Sequence, residues 1–217
     1  MKDAAMPSRK AHWESIYHGK SPTEVSWYQK DPALSLQLIR NTRLSLDEPM
    51  IDVGGGASVL VDRLCQEGYT RVAVLDISAS ALDHAKARLG DKAHGVEWYV
   101  EDIVDFNPPH LFSLWHDRAV FHFLTDPSDR RRYVNVMQRV LKPGGQLIIA
   151  AFAIGGPSKC SGLDIVQYDA EKLLTELGEG FDLAEEKTEV HITPAQREQK
   201  FAWFRLVRKP ATPAPSG

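Results

Sequence analysis

Asp52 and the turn Gly54-Gly55-Gly56 follow the apolar residues Met50 and Ile51, and Asp76 ends the next apolar run, Val72-Ala73-Val74-Leu75. A strand, a glycine turn, a helix and a second strand that ends in an acid form the first half of a nucleotide-binding βαβ unit. The turn lets a ligand approach the backbone, and the closing acid accepts hydrogen bonds from ribose hydroxyls. Spacing narrows the ligand. A dinucleotide pattern, G-x-G-x-x-G, brings a helix amino end to a pyrophosphate, but counting from Gly54 puts Val59 where the third glycine falls. NAD and FAD are therefore disfavoured, and Asp52 suits a ligand that offers an ammonium rather than a phosphate. Taken singly, the glycines also read as a plain strand-to-helix turn that needs positive φ, and Asp76 as a strand-end cap. Their ordered combination favours a binding site.

The pattern Asp52-x-Gly54-x-Gly56-x-Ser58 resembles the D-x-G-x-G-x-G signature of class I S-adenosylmethionine-dependent methyltransferases, with the small Ser58 in place of the last glycine. Three further landmarks follow in that family's order. They are Glu101-Asp102-Ile103 after the run 96–100, the run Phe112-Ser113-Leu114-Trp115-His116-Asp117, and the stretch from Val140 through Lys142-Pro143-Gly144-Gly145 to Leu147. The resemblance is strong over residues 50–152 and architectural elsewhere. It implies S-adenosylmethionine as cofactor and S-adenosylhomocysteine as product, with no metal. It also implies Asp52, Gly54, Gly56, Asp76, Ile77, Asp102, Ile103, Asp117 and Trp27 as cofactor-binding residues. Lys142 to Gly145 reads as turn chemistry between a helix and a strand. Asn107-Pro108-Pro109-His110 resembles the N-P-P-aromatic motif of amino-directed methyltransferases, but it precedes the fourth strand where that motif follows it, so it reads as a proline turn.

A sheet must hold these residues in place. Strand signals near 49–53, 71–76, 96–100, 111–117 and 146–152 alternate with helical patterns near 58–67, 79–89 and 128–141. Such alternation predicts right-handed crossovers and a mostly parallel α/β sheet covered on both faces. Leu60, Leu64 and Cys65 are expected as the buried stripe of the first helix, and Ala81, Leu82, Ala85 and Leu89 as that of the second. Asp169 is a candidate cap for a later helix, and strands near 182–191 and 199–207 complete what resembles the family's seven-stranded Rossmann-like sheet, its last strand antiparallel. Residues 1–48 concentrate aromatics in His12-Trp13-Glu14-Ser15-Ile16-Tyr17 and Val25-Ser26-Trp27-Tyr28, a pattern that resembles the cofactor cap of small-molecule methyltransferases. The domain organisation expected is therefore a cap at 1–48, a cofactor-binding domain at 49–209 and a disordered tail at 210–217.

Composition narrows the partners. The 217 residues suit one domain, and 43% hydrophobic with 25% charged residues is a globular balance. A net charge of -3, with Arg130-Arg131-Arg132 as the one dense basic cluster, argues against a nucleic-acid partner and reads as a solvated helix face. Cys65 and Cys160 make no C-x-x-C pair, so neither a disulfide framework nor a zinc site is expected. The amino terminus lacks a signal-peptide stretch and no run reaches membrane-span length, so a soluble, cytoplasmic protein with no membrane partner is the expectation.

Methyl transfer is an in-line displacement that needs alignment and a dry site more than proton chemistry. Ligands of parallel sheets bind beyond the strands' carboxyl ends, which points to Asp117, Arg118, Phe121 and His122 after the fourth strand and to the loop 155–162 after the fifth. His122 is the candidate base, with Asp117 beside it, and it reads equally as a hydrogen-bonded residue at a helix start. Tyr28, Phe121 and Cys160 are the candidate acceptor contacts, while His116 reads as a packed residue inside its strand. A small-molecule acceptor is the first expectation. Gly68-Tyr69, Val72 and Asp76-Ile77-Ser78 also resemble the lysine methyltransferases of translation elongation factor, and a non-catalytic cofactor-binding protein is the third alternative. The acceptor atom and the oligomeric state stay open.

Overall fold

The computed structural model describes residues 8–19 and 21–210. Among them, seven strands form one sheet: β1 (Met50–Val53), β2 (Val72–Asp76), β3 (Val96–Val100), β4 (Phe112–Arg118), β5 (Leu141–Phe152), β6 (Phe181–Ile192) and β7 (Glu198–Arg208). Their spatial order is β3-β2-β1-β4-β5-β7-β6. The five strands on the β3 side run parallel, and β7 pairs antiparallel with both β5 and β6. The helices are α1 (Arg9–Gly19), α2 (Ala33–Asn41), α3 (Leu60–Gln66), α4 (Ala79–Leu89), α5 (Pro127–Val140) and α6 (Ala170–Leu177). This is the seven-stranded Rossmann-like sheet expected, with helices on both faces.

The two faces follow from alternation along each strand. Successive side chains in a strand point to opposite sides, so Ile51, Val53 and Trp115 join Tyr133, Met137, Leu173 and Leu177 of α5 and α6 in one core. Met50 and Leu114 point the other way, onto Leu36, Leu38, Leu60, Leu64, Leu82 and Ala85 of α2, α3 and α4. Caps start three of the helices. Ser78 Oγ accepts from Ala81 N–H at α4, Asp126 from Ser128 N–H at α5 and Asp169 from Lys172 N–H at α6. The outer strand β6 carries Asp182, Glu185, Glu186, Lys187 and Glu189, charges that discourage edge-to-edge pairing.

Four expectations need revision. The segment before β1 is helical rather than turn-rich, because α2 buries Leu36, Leu38 and Ile39 and α1 rests on aromatic neighbours. Cys65 is half-buried at the margin of the α3 stripe rather than inside it. Lys142 to Gly145 lies within β5 as an irregularity: Phe112 pairs with Leu141 and Leu114 with Gln146, so the extra residues loop out with Gly144 at φ 76°. Arg130 is no solvated helix residue, since its guanidinium holds Glu176 of α6 at 2.8 Å and the Leu124 and Thr125 carbonyls. Of the tail expected at 210–217, residues 211–217 lie outside the described residues.

One buried polar chain ties β4 to α5. Trp115 Nε1–H donates to Tyr133 Oη at 2.9 Å, and the Tyr133 hydroxyl donates to Asp117 Oδ2 at 2.6 Å, all three residues having no exposed surface. Tyr133→Phe orphans the indole N–H and removes a donor from a buried carboxylate, which costs about 1–3 kcal/mol. Thermal unfolding is expected to move down by roughly 2–4 °C for each kcal/mol lost. An unchanged Tm would mean that the chain contributes nothing net.

Candidate active site

The strand order reverses between β1 and β4, and there a cavity of about 100 Å³ opens at the carboxyl ends of the parallel strands. Its place is that of a small-molecule site in an open α/β sheet. The glycine turn makes one wall. Gly54 N–H and Gly55 N–H both donate to Leu75 O, at 2.7 and 3.2 Å, so the chain leaving β1 folds back over the end of β2. Gly56 sits at φ 40°, and a Cβ there would stand 2.7 Å from Asp76 Oδ2. Only glycine allows backbone and carboxylate so close.

Asp76 accepts from Ser78 N–H at 2.8 Å through Oδ1 and lines the cavity with Ile77. Asp102 and Ile103 line the far end; Asp102 Oδ1 accepts from Val104 N–H at 3.2 Å, and its other oxygen meets Arg9 at 3.1 Å. Gly54 and Trp27 also face the cavity. Asp52 takes a different position. It lines a smaller adjoining cavity with Gly55, Tyr28, Ser35 and His116, which shares Gly54, Trp27 and Arg118 with the first. Its Oδ1 accepts from His116 Nδ1–H at 2.7 Å, and Ser35 Oγ lies 3.0 Å from Nε2, so His116 is the satisfied strand residue expected.

Helix α1 roofs the large cavity. Trp13 packs edge-on to Trp27 and Phe123, with ring centroids 5.6 and 5.0 Å apart, and Tyr17 meets Trp27 at 6.2 Å. Polar ties fasten it across the opening, among them Ser80 Oγ 3.2 Å from His18 Nδ1. Arg9 reaches Asp102 and Asp129, and Glu14 Oε1 accepts from Ala79 N–H at 2.7 Å, capping α4 from outside.

At the β4 end, alternation separates neighbours in sequence. Arg118 shares a face with Leu114 and His116 and lines both cavities, whereas Asp117 points to α5 and lines neither. Asp117 accepts from Tyr133, Val120 N–H and Phe121 N–H, and burial raises its carboxyl to about 6 against those donors. That makes it a structural residue rather than a cofactor contact or a catalytic one. His122, the candidate base, is fully buried, with Nδ1 accepting from Phe152 N–H at 3.3 Å and its ring 4.6 Å from that of Phe152. Burial, helped by the Arg118 charge, lowers it to about 3, so it stays neutral inside the core and is corrected to a packing residue. Phe121 is likewise core, against Tyr133 and Tyr168. Cys160 does line the cavity, and burial pushes its thiol up. Trp13 and Tyr17 of the aromatic cap line the wall as well, and Arg9, Phe123, Phe152 and Phe201 join it without having been singled out from the sequence.

Burial raises the Asp76 carboxyl from 3.8 to about 7, with Asp52 and Glu14 adding repulsion and the Ser78 N–H opposing. The ligand-free fold therefore holds a proton that the unfolded chain has already released, and the stability this contributes is full below about pH 4 and lost as pH rises through 7. Asp117 acts in the same direction up to about pH 6. Asp76→Asn is expected to give a Tm that falls less between pH 4 and 7 than wild type. Parallel Tm-against-pH curves by calorimetry would mean that Asp76 ionises without cost.

Residues 50–145 match the family model described as "Methyltransferase domain". A nodulation protein S of Rhizobium tropici is 31% identical over 46% of this chain, and the match spans 42% of that protein's own length. An EEF1A lysine methyltransferase 2 of Homo sapiens is 23% identical over 85% of this chain and 80% of its own. A thiocyanate methyltransferase 1 of Arabidopsis thaliana is 32% identical over 57% of this chain and 56% of its own. Among solved structures, the N-methyltransferase NodS of Bradyrhizobium japonicum in complex with S-adenosyl-L-homocysteine superposes with a TM-score of 0.62 over 83% of this chain and 89% of its own, at 21% identity. The glycine turn, the two acids and the sheet order resemble the arrangement of class I S-adenosylmethionine-dependent methyltransferases, and residues 50–145 are similar to a methyltransferase domain.

Proposed function

We propose that this protein transfers a methyl group to a small-molecule acceptor inside the cavity beneath α1, leaving S-adenosylhomocysteine as product. The carrying observation is continuity. One roofed cavity runs from Asp76 and Asp102 to Arg118 at the end of β4, Phe201 near the start of β7 and Cys160 in the loop after β5. The residues fit the cofactor. Gly56 leaves a gap that any side chain would fill, Asp76 offers Oδ2 to ribose hydroxyls, Asp102 offers an acceptor to an adenine amino group, and Ile77 and Ile103 supply apolar walls. Asp52, linked to His116 at the adjoining cavity, is the acid placed for an ammonium. S-adenosylmethionine supplies an activated methyl on a sulfonium. The chain's part is to align and to exclude water, which Trp13, Tyr17, Trp27 and Phe123 do by closing the roof. His122 is buried in the core and lines neither cavity, so it does not reach an acceptor there.

The breadth of the lysine methyltransferase match favours a second reading, methylation of a protein lysine. Arg118 at the cavity wall opposes it, since a guanidinium repels the lysine ammonium that would have to approach.

Two measurements test the proposal. Labelled methyl from S-adenosylmethionine, incubated with the protein and a cell extract, is expected in the small-molecule fraction. Label in protein would transfer the assignment to the lysine reading, and no transfer to any fraction would leave a binding protein. Asp76→Ala is expected to weaken S-adenosylhomocysteine binding by about 1–3 kcal/mol, roughly 5- to 150-fold, while the fold persists. Equal calorimetric affinity would remove Asp76 from the ribose.

A further inference from the structure

Arg118 is the unusual charge of this site. Its Nη1 donates to Trp27 O at 2.8 Å, but Nε and Nη2 are sealed from solvent with no hydrogen-bond partner among the described residues. The nearest carboxylates are already engaged. Asp52 is held by His116 at 2.7 Å, and Glu189 accepts from Gln29 Nε2–H at 2.9 Å and Trp203 Nε1–H at 3.0 Å. Neither reaches Arg118 within ion-pair distance, and desolvation lowers its pKa to about 10. The guanidinium carbon lies 4.8 Å from the centroid of Phe201, so the side chain reaches across β5 to β7, and it lines the same cavity as Cys160. A buried guanidinium with two unused donors costs stability, and such a cost is retained where a ligand repays it.

Resting on the methyl-transfer reading, we propose that Arg118 receives the negative charge of the acceptor, which is a small anion that is itself the nucleophile. The anion's lone pair forms the bond to the methyl carbon while the carbon–sulfur bond breaks and its electron pair stays on sulfur. Negative and positive charge cancel in one step and no proton moves, which agrees with a site whose candidate base is buried and lines neither cavity. Arg118 binds and orients the anion. Phe123, Phe152 and Phe201 exclude the water that would otherwise weaken the nucleophile. The rival assignment is the carboxylate of the cofactor's own methionine tail, because Arg118 also lines the cavity that holds Asp52.

The test uses the full chain saturated with S-adenosylhomocysteine and titrated calorimetrically with thiocyanate, with urea as a neutral control. Wild type is expected to bind thiocyanate and not urea. Arg118→Met is expected to lose at least tenfold in thiocyanate affinity, Arg118→Lys to keep part of it, and both to bind S-adenosylhomocysteine within about threefold of wild type, a result that also certifies their folding. Arg118→Met is further expected to raise Tm, since it removes an uncompensated buried charge. Thiocyanate binding that survives in Arg118→Met, or none in wild type, overturns the anion assignment and leaves methyl transfer standing. Loss of S-adenosylhomocysteine affinity in Arg118→Met overturns it in favour of the cofactor carboxylate. A wild type that binds no S-adenosylhomocysteine sinks the methyl-transfer reading and this inference with it.

Discussion

The close approach of the chain after β1 to the end of β2 is the constraint on which the rest depends. Two amide donors converge on the Leu75 carbonyl, and Gly56 lies against Asp76 with no room for a Cβ. That contact fixes β1 beside β2, aims the Asp76 carboxylate into the cavity and starts the chain toward α3. It also seals Asp76 from water, which is why its carboxyl rises to about 7. A residue with a side chain at Gly56 would push Asp76 or Tyr17 aside, so the same backbone geometry serves the fold and the ligand.

Two buried charges at the end of β4 show how differently a fold can treat adjacent residues. Asp117 receives the Tyr133 hydroxyl and two backbone N–H groups, a nearly complete shell that joins sheet to helix. Arg118, one residue on and facing the other side of the sheet, has a single hydrogen bond and two unused donors. Desolvation penalises both, but only the first is compensated inside the protein. Satisfied polar groups of this kind hold a structure together, whereas an unsatisfied one beside a cavity marks the place where the structure does its work.

The sheet was legible because its strands are short apolar runs separated by turn residues, and the cavity acids because their spacing from the glycines is fixed by the backbone. Asp52, Gly54, Asp76, Ile77, Asp102, Ile103 and Trp27 each line at least one of the two joined cavities, while Gly56 lines neither and stands against Asp76. The β4 end was misjudged for Asp117, Phe121 and His122. Running the period of two from Asp52, whose register partner is His116, would have put Arg118 on the cavity face and Asp117 on the α5 face. The position of His122 follows from a tertiary contact, the Phe152 N–H, which no local pattern carries. Helix α1 was missed because its stability comes from Trp27, Phe123 and Ala79, residues remote in sequence, rather than from a core stripe of its own.

The roof over the cavity is built so that it can open at small cost. Its outer ties, among them Arg9 to Asp102 and Asp129 and Glu14 to Ala79, are few and at most half-buried, and exposed pairs of this kind contribute about 0–1 kcal/mol each. The aromatic contacts of Trp13, Tyr17 and Trp27 are the larger part, and they are edge-to-face packings that bury surface without locking a hydrogen-bond geometry. A cover held mainly by apolar contact suits a cavity that is to be closed against water once it is filled. It re-forms by burial alone, whatever sits beneath, whereas a roof of matched hydrogen bonds would need every partner back in register before the site was dry.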